Sequence, residues 1–253
     1  MILDAFKLTG KNALVTGSQQ GLGAGIALAL AEAGANVVCH GLFPEPNDIC
    51  DKIRALGRKS FFIQGDVSDA KLCEELVERT VQEFGSIDVL VNNAGTIKRA
   101  PAAEFPQDYW DLVIAVNLSS VFRISQLAGR HMLKQGRGKI VNIASLLSFQ
   151  GGVFVPSYTA AKSGVAGITK ALANEWAAKG LNVNAIAPGY MATDNTAALR
   201  ADENRSRQIM ERIPAGRWGE ASDLAGAAVF LSSAASDYVN GHILLVDGGW
   251  MAR

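Results

Sequence analysis

The sequence predicts an α/β fold built on a doubly wound parallel sheet with helices on both faces. Short apolar runs of strand type alternate along the chain with longer segments of helical periodicity, which is the order expected of successive strand and helix units. The runs are apolar throughout rather than at every second residue, and this indicates strands that are buried on both faces. In such sheets ligands bind beyond the carboxyl ends of the strands.

The predicted elements follow one another without a break. The strand runs lie at 12–16, 36–40, 60–64, 87–92, 139–143, 182–186 and 242–246. Helical spacing of apolar residues fills the intervals between them, as in Ile26, Leu30 and Ala33 after the first run. No linker or low-complexity stretch divides the chain, so we expect residues 1–253 to form a single domain.

Composition narrows the class of protein. The 253 residues carry 24 Lys and Arg against 24 Asp and Glu, and the resulting zero net charge argues against a nucleic-acid binder or a polybasic membrane-surface protein. The three cysteines have no paired spacing and the three histidines are scattered, so we predict neither disulfides nor a metal site. We see no export signal and no uninterrupted apolar span of about 18 residues, and therefore expect a cytoplasmic small-molecule enzyme.

A glycine-rich turn follows the first strand and leads directly into an Ala-rich helix. Its spacing is G-x-x-x-G-x-G, from Gly17 through Gly21 to Gly23. Gly17 can make the tight exit from the strand, Gly21 lets the backbone approach a pyrophosphate, and Gly23 lets the helix pack closely against the sheet. The free N–H groups of the helix N-terminus favour the phosphate charge. An ordinary strand-to-helix turn has the same glycines, but the strand and helix context favours a dinucleotide site.

The ends of the next strands carry weaker signals. After the second strand, an acidic residue would hold the ribose of NAD and an arginine would hold the phosphate of NADP. In this chain the segment from Cys39 to Glu45, which includes Gly41, has neither residue type at the expected position. Because the glycine loop has no Lys or Arg, the sequence favours NAD(H) over NADP(H). Asp66-Val67 follows the third strand and fits either an adenine site or a helix N-cap. Asn92-Asn93-Ala94-Gly95 follows the fourth, and suits a cofactor or a simple turn.

Three residues point to acid/base chemistry. Ser145 lies just past the fifth strand, and Tyr158 and Lys162 lie four apart in the following helical run, on one helix face. For Tyr158 to exchange a proton near neutral pH, its pKa must fall by about three units from ~10, whereas burial raises it. A cation about 4 Å away contributes about 4 kcal/mol at an effective dielectric near 20, which is enough. Lys162 is placed to supply that charge, and Ser145 to hold the substrate oxygen.

Together these motifs resemble those of the short-chain dehydrogenase/reductase family, over essentially the whole chain. The matching positions are Thr16-Gly-x-x-x-Gly-x-Gly23, Asn92-Asn-Ala-Gly95, Asn117, Ser145, Tyr158-x-x-x-Lys162 and Pro188-Gly189. The resemblance implies one Rossmann-type domain with a seven-stranded sheet, usually in a homotetramer. It implies Tyr158 as the catalytic acid/base, Lys162 as the residue that lowers its pKa and binds the nicotinamide ribose, Ser145 as the substrate positioner and Asn117 as the holder of a relay water. From the residues alone, Asn117 would be neutral polar filler in a helix.

The implied cofactor site draws on every strand end described above. Its predicted residues are Gly17, Ser18, Gln20, Gly21, Leu22, Gly23, Gly41, Asp66, Val67, Asn93, Ala94, Gly95, Tyr158, Lys162, Pro188, Gly189, Met191 and Thr193.

The segments that vary within this family resemble those of bacterial members that act on keto and hydroxy sugar acids. That resemblance implies hydride transfer between a nicotinamide cofactor and such an acid, with 2,5-diketo-3-deoxygluconate reduced to 2-keto-3-deoxygluconate in uronate catabolism. The predicted substrate-binding residues are Arg99, Ser145, Gln150 and Tyr158, with Lys98, Tyr190 and Asn195 on nearby loops. Arg99 is expected to bind the substrate carboxylate, although a solvated basic pair with Lys98 is an equal alternative.

The polar segment 190–214 is predicted to be a helical pair that acts as a lid over the site, a plain surface insertion being the alternative. Other activities stay open within the family: a gluconate 5-dehydrogenase, a 3-oxoacyl-carrier-protein reductase or a general carbonyl reductase. From a different class, the chain could be a nicotinamide-sensing module without catalysis. The joint presence of Ser145, Tyr158, Lys162 and Asn117 argues against that reading.

Overall fold

Seven parallel strands form one sheet at the centre of the protein. The computed structural model describes residues 1–44 and 48–253, except for the side chain of Asn195. The strands are β1 (Asn12–Val15), β2 (Asn36–Gly41), β3 (Ser60–Gln64), β4 (Val89–Asn92), β5 (Gly138–Ile143), β6 (Leu181–Pro188) and β7 (Ile243–Val246). They are ordered β3-β2-β1-β4-β5-β6-β7. The predicted fold class, a seven-stranded parallel sheet of Rossmann type, is confirmed.

Burial along the strands follows their place in the sheet. Every residue of β1 and of β6 is buried, because helices cover both faces of an inner strand. The edge strands β3 and β7 are only partly buried. All seven strand runs seen in the sequence are strands of this sheet, with ends shifted by up to two residues; β4, for example, begins at Val89 rather than at 87.

Helices pack on both faces of the sheet. They are α1 (Gly21–Glu32), α2 (Asp48–Ala55), α3 (Ala70–Phe84), α4 (Gln107–Ile114), α5 (Ser120–Gln135), α6 (Pro156–Trp176), α7 (Ala197–Ala201), α8 (Glu203–Arg212) and α9 (Ala225–Ser232). One core cluster joins α1 and α9 to one sheet face, and another joins α3, α5 and α6 to the other. The predicted helical pair in 190–214 corresponds to α7 and α8.

The sheet order places a crevice at the carboxyl end of β1. Ala13 of β1 pairs with Val37 of β2 on one side and with Val89 of β4 on the other. The chain therefore winds outward to β3 and then returns across β1 to begin the second half. Loops leave β1 and β4 in opposite directions at such a switch point, which opens a crevice for ligands.

One helical stretch is interrupted by a π-helical turn. Residues Ala115–Ser119 form this turn between α4 and α5. The whole stretch Gln107–Gln135 is long and apolar enough to span a bilayer by length and composition alone, but half of its apolar window is buried within this fold. A location in the cytoplasm stays a prediction.

Candidate active site

A cavity of about 500 Å³ lies at the carboxyl ends of β1 to β4 and reaches α6. Most of the residues predicted to bind the cofactor line it. These are Gly17, Gln20, Gly21, Leu22, Gly23, Gly41, Asp66, Val67, Asn93, Ala94, Gly95, Tyr158, Lys162 and Thr193. The glycine loop and the Tyr158–Lys162 pair therefore open into one cavity.

The three glycines of the loop have different reasons to be glycine. Gly17 has a φ of +62°, and a Cβ there would lie 2.8 Å from the Cα of Ala94. A Cβ on Gly23 would collide with the carbonyl oxygen of Gly17 and the side chain of Asn93. Gly21 has a φ of +57° and open space where its Cβ would be. The loop is thus tight against the protein at two positions and open toward the cavity at the third.

Asn93 and Thr16 brace the glycine loop against the end of β4. The Asn93 amide donates to the carbonyl oxygens of Thr16 (3.0 Å) and Gly17 (2.9 Å). In return, the hydroxyl of Thr16 accepts from the backbone N–H of Asn93 (3.0 Å) and of Ala94 (3.1 Å). This double bracing makes the two strand ends a single unit.

Tyr158 and Lys162 lie one turn apart near the start of α6, where Pro156 occupies the first turn. Lys162 is 4% exposed, and its Nζ donates to the carbonyl oxygen of Ile143 (2.6 Å) at the end of β5. The same Nζ lies 5.6 Å from the centroid of the Tyr158 ring. Burial lowers the pKa of Lys162 to about 8.

Burial raises the pKa of Tyr158 above its usual value, as predicted for the unassisted phenol. Two groups act in the opposite direction: a hydrogen bond with the Ser145 side chain and the positive charge of Arg99. The sequence predicts that Lys162 also lowers this pKa; its Nζ lies 5.6 Å from the ring centroid while it donates to Ile143, and this role stays a prediction. Ser145 also accepts from the backbone N–H of Leu147 (3.2 Å), which fixes its hydroxyl at the start of the loop after β5.

Asn117 sits fully buried in the π-helical turn Ala115–Ser119. Its amide donates to the carbonyl oxygen of Thr96 and its carbonyl accepts from the N–H of Thr96, both at 2.8 Å. A π-turn inside an α-helix is frequently found at functional sites, because it displaces one residue from the regular helix surface. Asn117 therefore holds the loop that follows β4, and is not polar filler.

This geometry agrees with comparisons to known proteins. The sequence model of enoyl-(acyl carrier protein) reductases matches residues 17–251. A 2-dehydro-3-deoxy-D-gluconate 5-dehydrogenase of Dickeya dadantii is 57% identical over the full length of both chains. The chain belongs to the short-chain dehydrogenase/reductase family. Membership makes it an oxidoreductase of the nicotinamide-dependent class.

Two solved structures of the same family are also similar. One, from Agrobacterium tumefaciens with bound NADP, is 55% identical, with 99% of this chain and all of that chain covered and a TM-score of 0.93. The other is a gluconate 5-dehydrogenase from Burkholderia cenocepacia in complex with NADP and tartrate. It is 40% identical, with both chains fully covered and a TM-score of 0.96.

Not every residue that the sequence assigned to the cofactor lines the cavity of this short-chain dehydrogenase/reductase. Ser18 does not line the cavity: its buried hydroxyl donates to Val15 (2.8 Å) and accepts from the N–H of His40 (3.0 Å), so contact through this hydroxyl is not supported. Pro188 is buried at the end of β6, and Met191 is buried in the core. Gly189 packs so closely on Asp247 that a Cβ would lie 2.6 Å from its Cα.

The predicted substrate residues outside α6 do not line this cavity. Arg99 is exposed, and its charge acts on Tyr158. Lys98 is engaged elsewhere, with its Nζ 4.9 Å from the ring centroid of Tyr109. Gln150 accepts a long hydrogen bond from the indole of Trp250 (3.4 Å). The side chain of Asn195 lies outside the described residues.

His40 is a site residue that the sequence did not predict. It is 3% exposed at the end of β2, where its Nδ1 accepts from the N–H of Gly17 (3.0 Å). Its Nε2 lies 3.0 Å from the carbonyl oxygen of Gly65, so that Nε2 carries the proton and Nδ1 is the acceptor. Burial lowers the pKa of His40, which keeps the ring neutral. In the sequence, the one feature that could have pointed to His40 is its position at the carboxyl end of an apolar strand.

Gln19 was also not predicted, and it explains Gly41. A Cβ on Gly41 would lie 2.5 Å from Oε1 of Gln19, so the glutamine fills the space where a side chain at 41 would extend. The Gln19 amide donates to the carbonyl oxygen of Phe43 (3.2 Å), and its Oε1 accepts from the N–H of Phe43 (3.3 Å). The uncharged side chain of Gln19 thus lies at the end of β2, where an acid would bind the ribose of NAD or an arginine the phosphate of NADP.

Proposed function

We propose that this chain is a dehydrogenase that interconverts keto and hydroxy sugar acids, with 2-keto-3-deoxygluconate and its 2,5-diketo form as substrate pair. The observation that carries the proposal is the convergence of Tyr158, Lys162 and the glycine loop on one cavity, with Ser145 in contact with Tyr158. The name of the 57% identical relative supports the substrate class. Gluconate 5-dehydrogenase activity is a second candidate, supported by the similarity to the Burkholderia cenocepacia structure.

The cavity fits a nicotinamide dinucleotide. The open side of Gly21 leaves room for a pyrophosphate, and Gly23 allows α1 to begin directly behind it. Gln20, the N-cap residue of α1, makes no side-chain hydrogen bond to the helix end. The N–H groups of the first turn are therefore left for an anion, which the helix dipole also favours.

For the cofactor we propose NADP(H), where the sequence alone favoured NAD(H). Two similar structures hold NADP. An acid at the end of β2 would repel the 2′-phosphate of NADP, but the described residues 41–44 carry no charge and Gln19 occupies the space. Glu45, the nearest acid along the chain, lies outside the described residues.

Proton transfer is assigned to Tyr158. A bound nicotinamide dinucleotide supplies or accepts the hydride. The Tyr158 hydroxyl gives its proton to the substrate carbonyl oxygen during reduction and takes it back during oxidation. Its raised pKa keeps the phenol protonated at neutral pH, which supports reduction. Ser145 hydrogen-bonds the same substrate oxygen, and Lys162 stabilises the phenolate when the proton has left.

Substrate binding is assigned to the loops around Tyr158. The charge of Arg99 acts on the Tyr158 hydroxyl, which supports a position near the reacting carbonyl and makes this guanidinium the partner for the substrate carboxylate. Gln150 offers its amide to a hydroxyl group. We propose that segment 190–214, which contains α7 and α8, closes over this side as a lid, and that residues 1–253 act as one cofactor-binding and catalytic unit.

We also propose that the enzyme works as a homotetramer in the cytoplasm. Support comes from large apolar side chains that α4 and α5 leave exposed, Trp110 (37%) and Phe122 (43%). Light scattering of the purified protein tests the assembly, and a monomer at micromolar concentration would contradict it.

The decisive experiment is a substrate panel measured with NADPH and NADH in parallel. It contains 2-keto-3-deoxygluconate in the oxidative direction, and 5-ketogluconate and an acetoacetyl thioester in the reductive direction. We expect the highest kcat/KM for 2-keto-3-deoxygluconate, with NADP⁺ preferred. Preference for 5-ketogluconate would support the second candidate, and activity with the thioester alone would overturn both.

A further inference from the structure

The turn that follows β7 packs one aromatic side chain into the protein. The carboxylate of Asp247 accepts from the N–H groups of Gly249 (2.8 Å) and Met251 (2.9 Å), which closes the turn. Gly248 and Gly249 have φ values of +64° and +91°, which favour glycine. The short 3-10 turn that begins at Trp250 then directs the indole inward, where it is 4% exposed.

Trp250 contacts three segments that are distant in sequence. Its indole N–H lies 3.4 Å from Oε1 of Gln150, on the loop after β5. Its ring centroid is 4.6 Å from that of Tyr190, which follows β6. The guanidinium of Arg212, the last residue of α8, lies 4.0 Å from the indole centroid. One side chain therefore joins the loop after Ser145 to the proposed lid.

Besides Trp250, two side chains from outside the helix bind α8: Trp218 donates to Ser206 (3.3 Å) and Arg253 to the carbonyl oxygen of Glu211 (2.5 Å). Within α8, all of which the structure describes, Ile209 is the only buried residue. It packs in a cluster with Leu146, Ile213 and Trp250, and Leu146 is the residue directly after Ser145. A polar helix anchored by one buried side chain depends on that cluster for its position.

We propose that Trp250 is a positioning residue for the keto acid, which sets the place of Gln150 and of α8 on the substrate side of the active site. This inference rests on the proposed function. Neither Trp250, Gln150 nor Arg212 lines the cavity assigned to the cofactor. Substrate binding should therefore respond to Trp250 while cofactor binding does not.

The test compares Trp250→Leu, Trp250→Phe and Arg212→Gln with the parent enzyme. Trp250→Phe keeps a smaller aromatic ring against Arg212 and Tyr190 and removes the indole N–H. Arg212→Gln removes the cation without emptying the cluster. Tyr238→Leu, which removes a fully exposed aromatic ring outside the site, is the control. The readouts are the KM and kcat for 2-keto-3-deoxygluconate, the Kd of NADPH from fluorescence titration, and hydrogen exchange over 203–212.

For Trp250→Leu we expect a KM raised by about tenfold or more, an NADPH Kd within about twofold, and faster exchange over 203–212. The Phe and Gln variants should raise KM by about threefold, as for the loss of one weak contact. An unchanged KM in all three variants, or an equal loss of NADPH affinity, would overturn the inference. If Trp250→Leu does not fold, the Phe and Gln variants decide. A parent enzyme inactive on every keto acid would instead refute the proposed function.

Discussion

The Nζ of Lys162 lies 5.6 Å from the centroid of the Tyr158 ring and donates its hydrogen bond to the carbonyl oxygen of Ile143, 2.6 Å away. The Lys162 ammonium group thus lies over the tyrosine ring and is hydrogen-bonded to a backbone carbonyl of β5. Because both side chains lose hydration, the pKa of Tyr158 is raised and that of Lys162 is lowered. The pair in this state is poised to donate the phenolic proton rather than to accept one.

Removing the phenolic oxygen should abolish proton transfer and leave cofactor binding intact. For Tyr158→Phe we expect kcat to fall by about 10² to 10⁴, the range of general acid/base catalysis, with an NADPH Kd within about twofold of the parent. Hydride transfer followed by NADPH absorbance and a fluorescence titration measure the two quantities. Tyr238→Phe, at a fully exposed tyrosine, is the control. Retention of more than a tenth of kcat would refute the role of Tyr158.

Burying Lys162 should cost stability in a pH-dependent way. The unfolded chain holds this proton up to about pH 10.5, whereas the folded protein releases it near pH 8. Between these values the unfolded state binds more protons, so the free energy of unfolding rises with pH, by roughly 3 kcal/mol in total. Below pH 8 the full cost is present. Lys162→Met should therefore be more stable than the parent at pH 7, and this advantage should shrink by pH 10.

Urea unfolding at pH 7 and pH 10 measures that difference. Lys170→Met, at an exposed lysine of the same helix, is the matched control and should show no such change. A stability difference between Lys162→Met and the parent that is the same at both pH values would contradict the prediction.

His40 should make cofactor binding sensitive to acid. Its lowered pKa means that the fold favours the neutral ring, so its contribution to stability is fully present above pH 6.5 and is lost as pH falls through the folded pKa. Protonation of Nδ1 would place an N–H group against the N–H of Gly17 and break that hydrogen bond. The negative charge of Asp66 favours the protonated ring, but burial outweighs it. We expect the Kd of NADPH to rise as pH falls from 7 to 5.

The variant His40→Asn keeps an acceptor near the place of Nδ1 but does not titrate. It should bind NADPH as the parent does at pH 8 and show a flatter dependence below pH 6.5. The matched control is His131→Asn, at a histidine that contacts Glu78 on the surface. Equal slopes for His40→Asn and the parent would show that another group is responsible.

An acid at the end of β2 should turn the enzyme toward NADH. Because Gln19 fills the space beside Gly41, the acid needs room, and the variant to make is Gln19→Ala/Gly41→Asp, with Gln19→Ala alone as control. Repulsion between a carboxylate and a 2′-phosphate should weaken NADPH binding about tenfold or more relative to NADH. Calorimetric Kd values for both cofactors check this. If the affinities for NADPH and NADH fell equally, the adenosine ribose would not lie beside residue 41.

The parts of the structure that sequence could predict depend on local patterns. The stretch Ala13–Val15 of β1 is apolar throughout because the strand is buried on both faces, and such a run can be seen without a structure. The same holds for the glycine loop, since the constraint on Gly17 comes from the sharp turn after its own strand.

What sequence could not predict depends on contacts across the fold. Asn117 is neutral by composition and was predicted only through the family resemblance; what the fold adds is the π-turn that places it on the backbone of Thr96. Gln19 acquires a role only because Gly41 lies opposite it. Ser18 shows the same dependence: its position in the loop is that of a ligand-binding residue, but its hydroxyl is hydrogen-bonded to Val15 and His40.

The parallel sheet also bears on how the protein reaches its native state. Each ladder of the described sheet joins strands that a helix-containing crossover separates, and β1 pairs Ala13 with Val89. No hairpin can nucleate such a sheet, so chain entropy has to be lost before most of these contacts form, which slows folding. During that interval runs as apolar as β7 (Ile243–Val246) are exposed to other chains. Recombinant yield should therefore be governed by the competition between folding and aggregation, and should improve at low synthesis rates.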